Sequence, residues 1–139
     1  MKPLIAIIFL FFMRIPSPPT ADLTVVIKNI EEVKGSIHMG LYTNADSYLK
    51  LGEEFRVVNF KITATTMSYT FKKIPLGVYG ISLYQDANDD GECNRNWIGF
   101  PTEAYGFSNN IKIGFSAPKF EDAKFRLRND TTISILIIN

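Results

Sequence analysis

Met67-Ser68-Tyr69-Thr70-Phe71-Lys72-Lys73-Ile74-Pro75-Leu76-Gly77-Val78-Tyr79-Gly80-Ile81-Ser82-Leu83-Tyr84-Gln85 is the stretch that decides the fold. Met67, Tyr69 and Phe71 share one face of an extended chain, and Ser68, Thr70 and Lys72 share the other. Pro75-Leu76-Gly77 then breaks the run, because proline presets φ and glycine accepts a sharp bend. Beyond it Val78 to Gln85 resumes the period of two, with Tyr79, Ile81 and Leu83 directed inward. Residues enriched in strands, alternating apolar and polar across a turn, predict two β-strands that each bury one face.

The same period runs outward in both directions. Leu23, Val25 and Ile27 alternate with Thr24, Val26 and Lys28, and Ile37, Met39 and Leu41 alternate with His38 and Tyr42. Val33-Lys34-Gly35 between them predicts a hairpin turn. Phe55 to Ala64 is expected to pair with Met67 to Lys73, and Lys124 to Leu127 with Thr131 to Ile138 across Arg128-Asn129-Asp130. Asn44 to Glu54 has room for one turn of helix. About seven short strands at this spacing predict an all-β, two-sheet antiparallel sandwich of immunoglobulin-like or transthyretin-like type, with one long ordered loop.

The N-terminus points to export. Met1-Lys2 is followed by an unbroken apolar run from Leu4 to Met13, too short to span a bilayer, and then by Pro16, Ser17, Pro18 and Pro19. This order is that of a secretory signal peptide over residues 1–21, cut near Thr20 to Asp22. A hydrophobic first strand is the competing reading, but the run lacks alternation. Residues 22–139, about 118 in all, then form one domain in the periplasm or outside the cell, with no transmembrane anchor. A net charge of +1 without Lys/Arg runs excludes a nucleic-acid partner. A single cysteine, Cys93, excludes an internal disulfide.

Some thirty-five residues, from Asp86 to about Glu121, separate the strand at Val78–Gln85 from the next one, against a usual ~4 to 6. Trp97, Ile98, Phe100, Tyr105, Phe107, Ile111, Ile113, Phe115 and Phe120 are too many large apolar groups for a solvated tether. They are expected to cover one end or face of the sandwich. The acidic part, Asp86-Ala87-Asn88-Asp89-Asp90-Gly91-Glu92-Cys93-Asn94, sets Asp86, Asn88, Asp90 and Asn94 at positions 1, 3, 5 and 9 of a calcium loop, with Gly91 at 6 and the Glu92 carbonyl at 7. Trp97 stands where an EF-hand has its bidentate glutamate, so the helix-loop-helix reading fails. A carboxylate from further along must close such a shell, Glu103 first and Glu121 or Asp122 next. The competing reading is a sharp turn capped by Asx hydrogen bonds.

Gly77-Val78-Tyr79-Gly80-Ile81, Asp86 to Gly91, Asn96-Trp97-Ile98-Gly99-Phe100-Pro101-Thr102-Glu103-Ala104-Tyr105-Gly106-Phe107-Ser108-Asn109-Asn110 and Phe120-Glu121-Asp122-Ala123 together resemble an uncharacterised family of exported bacterial proteins, number 2141 in the domain-of-unknown-function series. The resemblance covers essentially the whole mature chain and implies an envelope or secreted β-sandwich with no assigned activity. The family pattern has Asp where Asn94 stands and no cysteine at Cys93. An uncharged amide at that place would hold any metal more weakly.

Other chemistry is thin. His38 is the lone histidine and falls on a strand, which leaves no zinc cluster. Cys93 sits beside Asp90 and Glu92, whose like charge disfavours a thiolate. Ser108 lacks a nucleophile-elbow pattern. The sequence therefore predicts a non-enzymatic binding module with a calcium-stabilised turn at 86–94, whose partner is an unknown protein or glycan. A carbohydrate- or peptide-binding sandwich that uses Trp97, Phe100, Tyr105 and Phe107 without metal is the alternative. A hydrolase built on Glu103, Glu121 and Asp122 ranks last.

Overall fold

The computed structural model describes residues 16–139, and the leader expected at residues 1–21 lies mostly outside them. Eight strands carry the chain: β1 (Thr20–Lys28), β2 (Ser36–Tyr42), β3 (Arg56–Lys61), β4 (Met67–Pro75), β5 (Gly77–Asp86), β6 (Tyr105–Phe107), β7 (Phe125–Leu127) and β8 (Thr131–Leu136). Two short helical pieces, a 3-10 turn at Ser108–Asn110 and α1 (Phe120–Ala123), lie between β6 and β7. The all-β, two-sheet reading holds. A three-stranded sheet in the order β4-β1-β8 faces a five-stranded one in which β3-β2-β5-β6 run side by side and β7 pairs with another stretch of β5.

The alternating residues do what their period requires. Leu23, Val25 and Ile27 of β1, Ile37, Met39 and Leu41 of β2, and Tyr79, Ile81 and Leu83 of β5 all point into one core between the sheets. Ile135 and Ile137 near the C-terminus join the same core. Among the described residues no helix is long and apolar enough to cross a membrane.

Strand pairing departs from the sequence reading at each of the three expected hairpins. β1 does not pair with β2 but with β4 and β8, while β2 pairs with β3 and β5. Likewise β3 and β4 lie in different sheets, and β7 pairs with β5 instead of β8. Alternation fixes which face of a strand is buried, and a strand that crosses to the facing sheet buries that face as well as one that folds back beside its neighbour. A further departure is the β1–β8 ladder, which is parallel, with Leu23 opposite Thr131 and Lys28 opposite Leu136. Nor does Asn44 to Glu54 form a helical turn: it is a chain of tight turns in which the Asn44 Oδ1 accepts the Ser47 N–H at 2.9 Å and Leu49 takes φ 65°.

The outer face of the five-stranded sheet is also covered. Tyr42, Tyr48, Phe107, Phe120 and Ala123 make a second apolar cluster there, with Ile111 and Ile113 against it. Strand β2 is accordingly buried on both faces, and this second layer comes from the long connection between β5 and β7 together with Tyr48 and Leu49 of the β2–β3 connection.

Candidate functional site

The acidic turn grows directly out of the end of β5. Asp86, the last residue of that strand, is 2% exposed, and its two carboxylate oxygens accept the N–H groups of Asp90 at 3.1 Å and Gly91 at 2.8 Å. Gly91 takes the sharp bend with φ 81°, as the spacing predicts. Asp90 lies at the middle of the turn: its Oδ1 accepts the Glu92 N–H at 2.9 Å, and its Oδ2 accepts the amides of Asn88 at 2.8 Å and Asn94 at 2.9 Å. These bonds, that from Asn94 foremost, hold the Asp90 carboxyl below its usual range.

Glu103, expected to close the shell, does reach the turn. Its Oε1 accepts the Ala87 N–H at 3.0 Å and its Oε2 the Asn94 N–H at 3.1 Å, so one carboxylate spans both ends. Glu121 and Asp122 do not come to the turn. They lie on α1, where Glu121 pairs with Lys124.

Charge crowding in the turn is relieved in a way the sequence hides. Asp89 leaves the ring of its neighbours and takes Lys61 of β3 at 2.6 Å and the Ser36 hydroxyl of β2 at 2.8 Å. The Lys61 ammonium, then the hydroxyl, lower the Asp89 carboxyl below its usual range. No local motif brings Lys61 near Asp89; the β2–β3 ladder does.

Among the described residues, no three His, Cys, Asp or Glu side chains converge as a metal shell by themselves. What the turn offers is mixed: the Asp90 carboxylate, two carboxamides directed at it, and backbone carbonyls. A half-turn of the Asn88 or Asn94 carboxamide exchanges its nitrogen for its oxygen at nearly the same place. The turn would then direct carboxamide oxygens, in place of N–H donors, at the Asp90 carboxylate.

Beyond the turn the chain folds over the outer face of β2 and β5 and leaves a groove of about 200 Å³. His38, Tyr42 and Tyr84 line its floor, and Phe100, Ile113 and Phe115 its sides. His38 stacks on Tyr84 with ring centroids 5.0 Å apart, and its Nε2 is buried without a hydrogen-bond partner, 3.9 Å from the Glu54 carboxylate. Burial, with smaller contributions from Cys93 and the turn carboxylates, pushes the Tyr84 hydroxyl up to about 12. Cys93 is a half-buried free thiol at the same groove. Burial is the first cause that pushes its pKa up, the Arg95 guanidinium beside it pulls the other way, and the Glu103 charge adds a smaller push, whereas sequence alone points to like charge from Asp90 and Glu92.

The apolar residues of the long connection divide into two groups. Phe107 and Phe120 are buried, with Tyr105, Ile111 and Ile113 packed beside them. Trp97, Ile98, Phe100 and Phe115 instead stand exposed, so the expectation that these four cover the sandwich is overturned. The segment from Asn94 to Thr102 is held by hydrogen bonds within itself, backbone to backbone and through the Asn96 side chain, whose Oδ1 accepts the N–H groups of both Ile98 and Phe100 at 3.0 Å. Its side chains are thereby left free of the core. Trp97, the one tryptophan, is 94% exposed. Its fluorescence maximum is accordingly expected to be that of a solvated indole and to move little on unfolding in urea; a marked red shift on unfolding would place the ring in the interior instead.

A family model described as an uncharacterized protein conserved in bacteria (domain of unknown function 2141) matches residues 25–134, and the chain belongs to that family. No curated protein and no solved structure matches it.

Proposed function

We propose that this member of the bacterial family is a non-enzymatic, exported binding module whose site is the groove over β2 and β5, held in shape by a calcium ion in the turn from Asp86 to Asn94. The observation that carries the reading is the placement of Glu103. It ties both ends of the acidic turn to the segment that forms one side of the groove, so whatever stiffens the turn stiffens the binding surface. Asp86, Asn88, Asp90 and Asn94 are the side-chain ligands of this proposal, with the Glu92 carbonyl and Glu103 completing the shell. Bound calcium would supply charge neutralisation and six to eight oxygen contacts where the carboxamides now satisfy Asp90.

Calcium sites of extracellular modules lie near Kd ~10⁻⁴ to 10⁻³ M. At about 10 mM calcium a site of ~1 mM Kd stabilises the folded state by about 1.4 kcal/mol, a rise in melting midpoint of about 5 °C for a domain of this size. Chelator should remove the rise, and Asp90→Ala should abolish it. An unchanged midpoint rejects the metal. It would leave the second reading, a metal-free site for a glycan or peptide, which the exposed Trp97 and Phe100 favour because aromatic faces stack on such ligands.

A further inference from the structure

We propose that the groove takes a short amphiphile with one anionic headgroup, a carboxylate held by Arg95, and an apolar body lying between Phe100, Ile113 and Phe115. This rests on the groove being the binding site and adds the chemistry of its ligand. The first observation is charge. Arg95 is the only lining residue with a fixed charge, and no Asp or Glu lines the groove. Among the described residues no carboxylate forms an ion pair with the Arg95 guanidinium. A guanidinium beside a cleft lined otherwise by apolar groups, hydroxyls, a thiol and the His38 imidazole selects an anion over a neutral or cationic head, and its fork of donors matches a carboxylate.

The second observation is the character and size of the remaining surface. At about 200 Å³ the groove is smaller than the roughly 300 to 1,000 Å³ of a drug-sized site, which suits a single ring or a short chain. Leu49 and Ile113 line it half buried, and Leu51, Phe100 and Phe115 line it exposed. Apolar rings in solvent with an empty side toward the groove gain contacts only when something apolar lies there. Each methylene that enters should tighten binding by roughly fourfold until the cleft is filled.

Cys93 supplies the readout. It lines the groove, is half buried, and is the one cysteine of the chain, so an occupant must slow its alkylation. Alkylation of the full chain by iodoacetamide would be followed with octanoate below its micellar concentration, with octanol and with octylamine, and calorimetry would give the affinities independently. Octanoate is expected to protect saturably and to bind about tenfold tighter than octanol. Because Arg95 lies against the Cys93 thiol, Arg95→Gln is read by calorimetry and not by alkylation: octanoate should fall to the affinity of octanol, and that of octanol should be unaltered. Equal binding of octanoate and octanol, or tighter binding of octylamine, would overturn the anion assignment while keeping the groove as the site. Absence of protection and of heat with all three would overturn both.

Discussion

Gly35→Ala is expected to cost about 3 to 4 kcal/mol of stability, the largest effect of any single substitution considered, although the side chain added is one methyl group. Gly35 sits at φ 67°, where an L-residue costs roughly 1 to 2 kcal/mol. A Cβ there would lie 2.0 Å from the carbonyl oxygen of Asp86 and 2.8 Å from the Cα of Ala87. Overlap with rigid backbone adds roughly 1 to 3 kcal/mol. The contact is made by the root of the acidic turn, so the variant also displaces Asp86 and with it the whole constellation around Asp90. Urea unfolding measures the loss. Gly52→Ala is the control, because Gly52 also has positive φ, 87°, but meets nothing within 4 Å. A Gly35→Ala loss no larger than that of Gly52→Ala would show that the approach to Asp86 relaxes freely.

Ser108→Ala should cost about 2 to 3 kcal/mol for a different reason. The side chain is 1% exposed, and its hydroxyl donates to the Ala123 carbonyl at 2.6 Å while accepting the Ile81 N–H at 2.9 Å. One oxygen therefore joins the middle of β5, the 3-10 turn and α1. Alanine leaves a buried donor and a buried acceptor without partners, at roughly 1 to 3 kcal/mol each before relaxation. Loss of hydrogen-exchange protection at the Ile81 amide would accompany the drop in urea midpoint. A protected Ile81 amide with stability changed by less than ~0.5 kcal/mol would mean that water or another group takes the place of the hydroxyl. The same geometry gives Ser108 of the Gly-Phe-Ser-Asn-Asn stretch a structural role: it clamps the second layer onto the sheet.

How far the sequence discloses the molecule varies with the kind of signal. The inward faces of β1 and β4 are legible because burial on one side imposes a period of two, and those of β2 and β5 because their large aliphatic residues still alternate although both faces are covered. The pairing of those strands is not, since Leu23 to Ile27 would alternate identically beside β2 or beside β8. In the turn, the closeness of Asp86, Asn88, Asp90 and Asn94 follows from their spacing, and Glu103 joins them by hydrogen bonds to Ala87 and Asn94. Lys61, Ser36 and the His38–Tyr84 floor escape, because each meets the site through ladders between distant segments. Composition also misleads about Trp97 and Phe115, since hydrophobicity says that a residue gains by burial but not that the local backbone directs it there.

The parallel β1–β8 ladder has a kinetic consequence. β1 is the central strand of its sheet and lies near the start of the described chain, while β8 is the last strand. The Asp22 N–H to Asp130 hydrogen bond spans 108 residues. Loop closure across so long a chain precedes any gain from the pairing, which places the fold among slow, high contact-order topologies. A nascent chain lacking residues 131–136 leaves one edge of β1 unpaired and its core open along Ile135. The three-stranded sheet is therefore completed only by the last strand to be synthesised, so the N-terminal strand waits for the C-terminal one.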